Sequence, residues 1–210
     1  IRFDRLDIGI GRFPVRNVDN ARVAVNKIRS YYENQDPGQW RKLVTFIADD
    51  GDFNIHQRDA DFLAQKIENN HQEFDVRKIY LDNYRKTTVS TGKLSPDAHN
   101  YINRTVNEGT LIMNYVGHGN PRYLADEMLI TNNSISNWTN MRRLPLFVTA
   151  TCEFSRFDNP AEVSAGEQIF LTPNGGGIGL LSTTRVVFSS LNFQLNNAFF
   201  NHVFKKNEDG

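Results

Sequence analysis

Two residues in this chain have the chemistry of a nucleophile and its base. Cys152 is the only cysteine, and His118 stands between Gly117 and Gly119 in "LIMNYVGHGN". A thiol needs a base or a positive neighbour to become a thiolate near neutral pH, and an imidazole within reach supplies that. Each residue directly follows an apolar run that reads as a buried strand, "TLIMNYV" before the histidine pair of glycines and "LFVTAT" before the cysteine. Their separation, 152 minus 118 or 34 residues, matches one crossover between neighbouring parallel strands. Both side chains are then expected on one rim of a sheet. The flanking glycines allow a tight turn and close approach of a substrate, and the backbone N–H groups of Gly119 and Cys152 are candidate donors to a developing oxyanion. A cysteine after a strand is also a common inert core residue, so the reading rests on the placement of the pair.

The elements that must position them alternate. Short apolar runs rich in β-branched residues at 43–48, 76–81, 110–116, 146–151 and 178–183 are bounded by Gly, Pro, Asp or Asn, as strands buried on both faces should be. Helical spacing fills 56–70, where Phe62, Leu63 and Ile67 share a side, and 95–109, where Ser95 is the expected N-cap, Pro96 sits in the first turn and Gly109 terminates. Further helices are expected within 17–34 and 161–171. The order predicts an α/β domain: a doubly wound, mostly parallel sheet with helices on both faces and sites at the carboxyl ends of its strands.

With 39% hydrophobic and 23% charged residues in 210, the chain has material for one compact domain. Lys plus Arg equals Asp plus Glu at 24 each, and the doublets 41–42, 142–143 and 205–206 are short and scattered, so no nucleic-acid partner is expected. No apolar run approaches the roughly 20 residues of a membrane span. The opening lacks the pattern of a leader and the end resembles a linker, so residues 1–210 are expected to be a single catalytic domain cut from a longer multidomain protein. One cysteine leaves no internal disulfide and no cysteine-based zinc site. "NGGG" at 174–177 lacks the Lys-Ser/Thr of a phosphate loop and "GIGR" at 9–12 fails the dinucleotide pattern, so both read as turns. His56, His71, His99 and His202 show no metal-ligand spacing, and neither a catalytic metal nor any cofactor is expected.

"NYVGHGN" followed by "LPLFVTATCEF" resembles the paired His and Cys motifs of the gingipain family of cysteine peptidases, which share a caspase-like fold. The likeness extends over about 43–188, including "ADDG" and "AEVSAGEQIFLTPNGGGIGLLSTT", and is nearest to the cell-surface sortases of the type IX secretion system. It implies Cys152 as nucleophile, His118 as base and Asp50 as the acidic residue that orients the histidine. Asp50 also follows the strand at 43–48 and so belongs to the same rim, with Asp49 and Glu153 as competitors for the role. The caspase signature Gln-Ala-Cys is absent, with "TATCEF" in its place.

Where arginine-specific gingipains have an acidic specificity residue, three positions before a histidine aligned with His56, this chain has Phe53. The resemblance thus implies a substrate pocket formed by Phe53, Thr183 and Phe188, without marked selectivity for Arg. It further implies a cysteine peptidase and transpeptidase at a bacterial cell surface, associated with the outer membrane. Its partners would be cargo proteins bearing a C-terminal secretion signal, anionic lipopolysaccharide as acceptor, and other type IX secretion components. The alternatives are a purely hydrolytic endopeptidase and a non-catalytic doubly wound domain that binds a partner.

Overall fold

Strand order explains why chemistry should gather at one rim. The computed structural model describes residues 10–34, 38–90 and 92–205; Gly9 of the expected turn and Lys206 of the last basic doublet lie outside the described residues. In chain order the helices are α1 (Val18–Glu33), α2 (Ile55–Asn70), α3 (Pro96–Glu108), α4 (Asn132–Ser136), α5 (Ala165–Leu171) and α6 (Ser189–Val203). The strands are β1 (Leu43–Ala48), β2 (Asp75–Tyr80), β3 (Thr87–Val89), β4 (Gly92–Leu94), β5 (Ile112–Val116), β6 (Tyr123–Leu124), β7 (Ile130–Thr131), β8 (Leu146–Ala150) and β9 (Gly179–Ser182). Five of them form a parallel sheet in the order β2-β1-β5-β8-β9, while β3-β4 and β6-β7 are small antiparallel pairs. The order reverses between β1 and β5, which makes the crevice beyond their carboxyl ends the topological switch point.

The sheet is covered on both faces, as the near-continuous apolar strands require. Val44, Phe46 and Ala48 of β1 point to one side, where they meet Leu63 and Ile67 of α2 and Phe200 of α6. Ile47 points to the other, with Ile102 of α3, Trp138, Phe147 and Ile169 of α5. These side chains are essentially inaccessible, and each Val, Leu, Ile or Phe among them contributes about 1.5–3 kcal/mol by leaving water. On the α3 and α5 side, α1 is tied to the end of α5 through Lys27, whose buried Nζ donates to the carbonyls of Ile169 and Phe170 at 3.1 and 2.6 Å. Burial pulls that ammonium's pKa down to about 7.

The five expected strands and four expected helices are present, with two local differences. Within 161–171 the helix begins only at Ala165, because Ser164 and Glu167 form a reciprocal capping box there. Ser95 occupies the N-cap of α3, but its hydroxyl donates to the carbonyl of Arg85 at 3.3 Å instead of accepting from the first turn. The helix α6 was not anticipated. Its buried positions include Asn192 and Asn196, and Asn196 exchanges amide hydrogen bonds of 2.9 and 3.3 Å with Asn114 in the middle of β5.

Candidate active site

The register of the sheet brings three strand ends level. Ala48 pairs with Val116 and Val116 with Ala150, and the ladder runs one step further through Asp49 N–H to Val116 O at 3.0 Å and Gly117 N–H to Ala150 O at 3.2 Å. The chain therefore leaves β1, β5 and β8 at the same height. His118 and Cys152 line one cleft of about 260 Å³, together with Asp52, His56, Val116, Val187, Phe188 and Asn192.

His118 is fixed mainly through its backbone. Its N–H donates to Asp49 Oδ2 at 3.1 Å, and its carbonyl accepts from the Tyr115 hydroxyl at 2.6 Å and from Ala125 N–H at 2.9 Å. Asp49 is 4% exposed and also accepts from Gly51 N–H at 3.2 Å. A Cβ at Gly117 would lie 2.4 Å from the Cβ of Asp49 and 2.6 Å from the Tyr115 hydroxyl, so only glycine fits between the carboxylate and the histidine it positions.

The carboxylate beside the imidazole belongs to Asp52, not Asp50. Asp52 Oδ2 lies 3.2 Å from His118 Nε2. Asp50 is instead paired with Lys86, which also holds Glu127 at 2.8 Å. The cause is a reversal of the backbone: Asp52, Phe53 and Asn54 all have φ between 53° and 62°, and Asn54 N–H closes the turn on Gly51 O at 3.2 Å. Asp and Asn tolerate this left-handed region through local side-chain hydrogen bonding, whereas Phe does not. Such residues cost of order 1–3 kcal/mol each and cluster at functional sites. The turn folds Asp52 back over the histidine. The same turn throws Phe53 fully into solvent, so Phe53 does not line the cleft as expected.

A Cβ at Gly51 would meet the Cδ2 and Nε2 edge of the His118 ring at 3.1 and 3.2 Å. With that edge turned to Gly51 and Asp52, Nδ1 is the ring nitrogen left free of both.

On the opposite wall, Cys152 is half-buried and among the described residues its thiol makes one hydrogen bond, to the Val187 carbonyl at 3.6 Å. The preceding carbonyl, of Thr151, is fixed by the Thr183 hydroxyl and by Asn192 Nδ2 at 3.4 Å. Thr183 thus anchors the backbone next to Cys152; it does not line the cleft. Glu153, the next residue, is left-handed at φ 50° and its carboxylate pairs with Arg156 at 3.0 Å. Phe188 does line the cleft, with 79% of its surface exposed.

The N–H of Gly119, an expected oxyanion donor, is left out of the local β-bridge. Gly119 forms an antiparallel bridge with Leu124 in which the bonds run from Asn120 N–H to Tyr123 O and from Ala125 N–H to His118 O. That is the wide pairing, in which the N–H of Gly119 itself turns away from its partner. A Cβ there would lie 2.5 Å from Thr151 Oγ1, so the loop approaches the nucleophile's strand as closely as a glycine permits.

His56 was set aside in the sequence for want of ligand spacing. The fold brings its ring within 5.0 Å of that of His118, centroid to centroid and nearly perpendicular. Helical spacing gave no signal for this contact, because Asp52, Phe53 and Asn54 are left-handed and α2 begins only at Ile55.

Among solved structures, the chain is similar to the complex of Porphyromonas gingivalis RgpB pro- and mature domains, at 13% identity and a TM-score of 0.73, covering 96% of this chain and 46% of that one. It is also similar to the Arg-specific cysteine proteinase gingipain R (RGPB), at 14% identity and 0.70, covering 92% and 44%. A structure described only as a protease matches at 18% identity and 0.65, covering 85% and 37%. This chain therefore spans less than half the length of each, and at such identities the likeness establishes the shared caspase-like α/β fold. No curated protein matches. The family model described as Peptidase family C25 matches residues 3–210, and the chain belongs to that family, the gingipain family of cysteine peptidases.

Proposed function

We propose that this domain cleaves peptide bonds through Cys152 and passes the acyl group to an amine, as a sortase of the PorU kind. The observation that carries the catalytic part is the cleft that holds His118 and Cys152 together at level ends of adjacent strands. His118 Nδ1 takes the thiol proton as sulfur attacks the carbonyl carbon. The oxyanion is held by the N–H groups of Gly119 and Cys152, and the imidazolium returns its proton to the departing amine. The thioester is then resolved by an incoming amine, or by water where no amine is available. Asp52 stabilises the imidazolium from the Nε2 side.

The transfer step, the cargo with its C-terminal secretion signal, the anionic lipopolysaccharide acceptor and the location on the outer membrane surface rest on the resemblance of the His and Cys motifs to the type IX sortases. The open, half-apolar cleft suits an extended peptide. Phe188 on its wall, and Val186 beside it at 73% exposure, offer apolar surface for a substrate to cover.

Two measurements test this. A peptide carrying a thiol-reactive electrophile should label Cys152 in the folded chain and not in the His118→Ala variant; an unlabelled wild type would leave the partner-binding alternative. Mass spectrometry of products made with an added primary amine should show the amine-capped peptide, and free acid alone would establish the hydrolytic alternative.

A further inference from the structure

The residues around His118 also have the composition and spacing of a transition-metal site. Asp52 Oδ2 lies 3.2 Å from Nε2 of His118 and 3.5 Å from Nε2 of His56. One donor atom from each of the three residues lies within 4.8 Å of the other two. In a tetrahedral zinc site with bonds of about 2.0–2.1 Å, neighbouring donors are about 3.3 Å apart, so two of the three edges already have the required length. The third closes with a small rotation of the half-exposed His118 ring.

A second observation points the same way. His56 is 5% exposed, and its Nε2 is aimed at this group yet makes no hydrogen bond among the described residues. A buried ring nitrogen without a hydrogen-bond partner is costly. A metal ion is a partner that would offset that cost.

We propose that Asp52, His56 and His118 bind a borderline divalent cation of the Zn²⁺ type, and that its occupancy reversibly switches the catalytic base off. Two imidazoles and one carboxylate suit zinc and its neighbours, whereas Mg²⁺ and Ca²⁺ take oxygen ligands.

The switch follows from the tautomer. A cation on Nε2 of His118 leaves the proton of the neutral imidazole on Nδ1, the nitrogen that must accept the thiol proton. It also takes Asp52 away from the ring. Cys152, in the same cleft, is then without a base, and removal of the cation by a chelator restores it. Binding stands apart from the peptidase reading, but its inhibitory consequence rests on His118 being the base.

The test separates the two. In the 210-residue chain carrying Cys152→Ala, which removes the thiol as a ligand, Zn²⁺ titrated by calorimetry should bind one to one, and Co²⁺ should develop the visible absorption of a tetrahedral site. Adding His56→Gln, or His56→Ala as a second variant, should weaken Zn²⁺ at least tenfold while circular dichroism stays unchanged. Equal affinity in a folded His56 variant would overturn the site, and so would absent saturable binding. In the chain with its cysteine, Zn²⁺ should slow electrophile labelling of Cys152 at least tenfold and a chelator should reverse this. The same slowing in a folded His56 variant would show that the metal acts on the thiol alone and would overturn the switch. Binding in the Cys152→Ala chain without any labelling of the wild type would retain the site and refute the peptidase reading.

Discussion

The two walls of the cleft differ in how they hold the reactive group itself. On the His118 side, β1 and β5 continue their ladder past the last strand residues, a buried carboxylate takes the histidine's N–H, and a buried tyrosine and the N–H of Ala125 hold its carbonyl. On the Cys152 side the backbone is held before and after the cysteine, at the Thr151 carbonyl and by Glu153 N–H to Arg185 O at 3.2 Å, while among the described residues the thiol itself makes one long hydrogen bond, to the Val187 carbonyl. The residues beyond it, Val186 and Phe188, are mostly in solvent. A base must be aimed before substrate arrives, because proton transfer depends steeply on geometry. A nucleophile must move toward a carbonyl carbon that the substrate brings, so freedom at the thiol is compatible with function.

The largest expected effect belongs to the wall that carries the thiol. Cys152→Ala should remove all detectable processing while the melting temperature stays within about 2 °C of the wild type, since a half-buried thiol at a rim contributes little packing. Wild-type turnover by this variant would end the enzymatic reading. His118→Ala should lower kcat/KM by roughly 10²–10⁴, the usual contribution of a general base. A twofold loss would remove His118 from the mechanism and erase the contrast between the walls.

Asp49 carries the contrast in its sharpest form. Asp49→Ala leaves the N–H groups of His118 and Gly51 without their acceptor, and hydrogen bonds to a charged group are worth about 1.5–3 kcal/mol each. We expect a fall of several degrees in melting temperature together with a loss of about tenfold or more in kcat, because the imidazole loses its aim. If stability falls and kcat does not, Asp49 is structural only, and the histidine's placement comes from Tyr115 and the sheet.

The parts of this arrangement that sequence patterns expose are the parts set by period and strand-end logic. Continuous apolar runs located the five strands, and their alternation with helices implied the switch-point crevice. His118 and Cys152 could be placed on one rim for that reason. Asp52 could not, because its position depends on three consecutive left-handed residues, a conformation that Phe53 disfavours and no local rule anticipates. Asp50, the expected partner, is drawn to Lys86, some 36 residues away in the chain and invisible as a neighbour. The helix α6 escaped for a similar reason: asparagines occupy its buried positions 192 and 196, and the interaction that makes Asn196 tolerable is with Asn114 on a strand far away in sequence.

The smallest expected effect concerns substrate choice, and it falls where the two walls meet. Phe53 was expected to floor the first pocket, but it stands outside the cleft, and among the described residues the carboxylate lining the cleft is Asp52. That carboxylate is 3.2 Å from His118 and 3.5 Å from His56. Its charge is spent on the base when the imidazole is protonated, and a guanidinium competing for it would compete with catalysis. A cationic side chain before the scissile bond therefore has no independent partner, and leaving it unpaired in a half-apolar cleft is unfavourable. Peptides with Ala, Ser or Gly at that position should be processed at least as well as matched peptides with Arg or Lys. A tenfold preference for Arg, about 1.4 kcal/mol in the transition state, would contradict this. If Asp52→Asn then abolished the preference, Asp52 would be the pocket's charge and would belong to substrate recognition, leaving the imidazole of His118 positioned by Asp49 and the sheet alone.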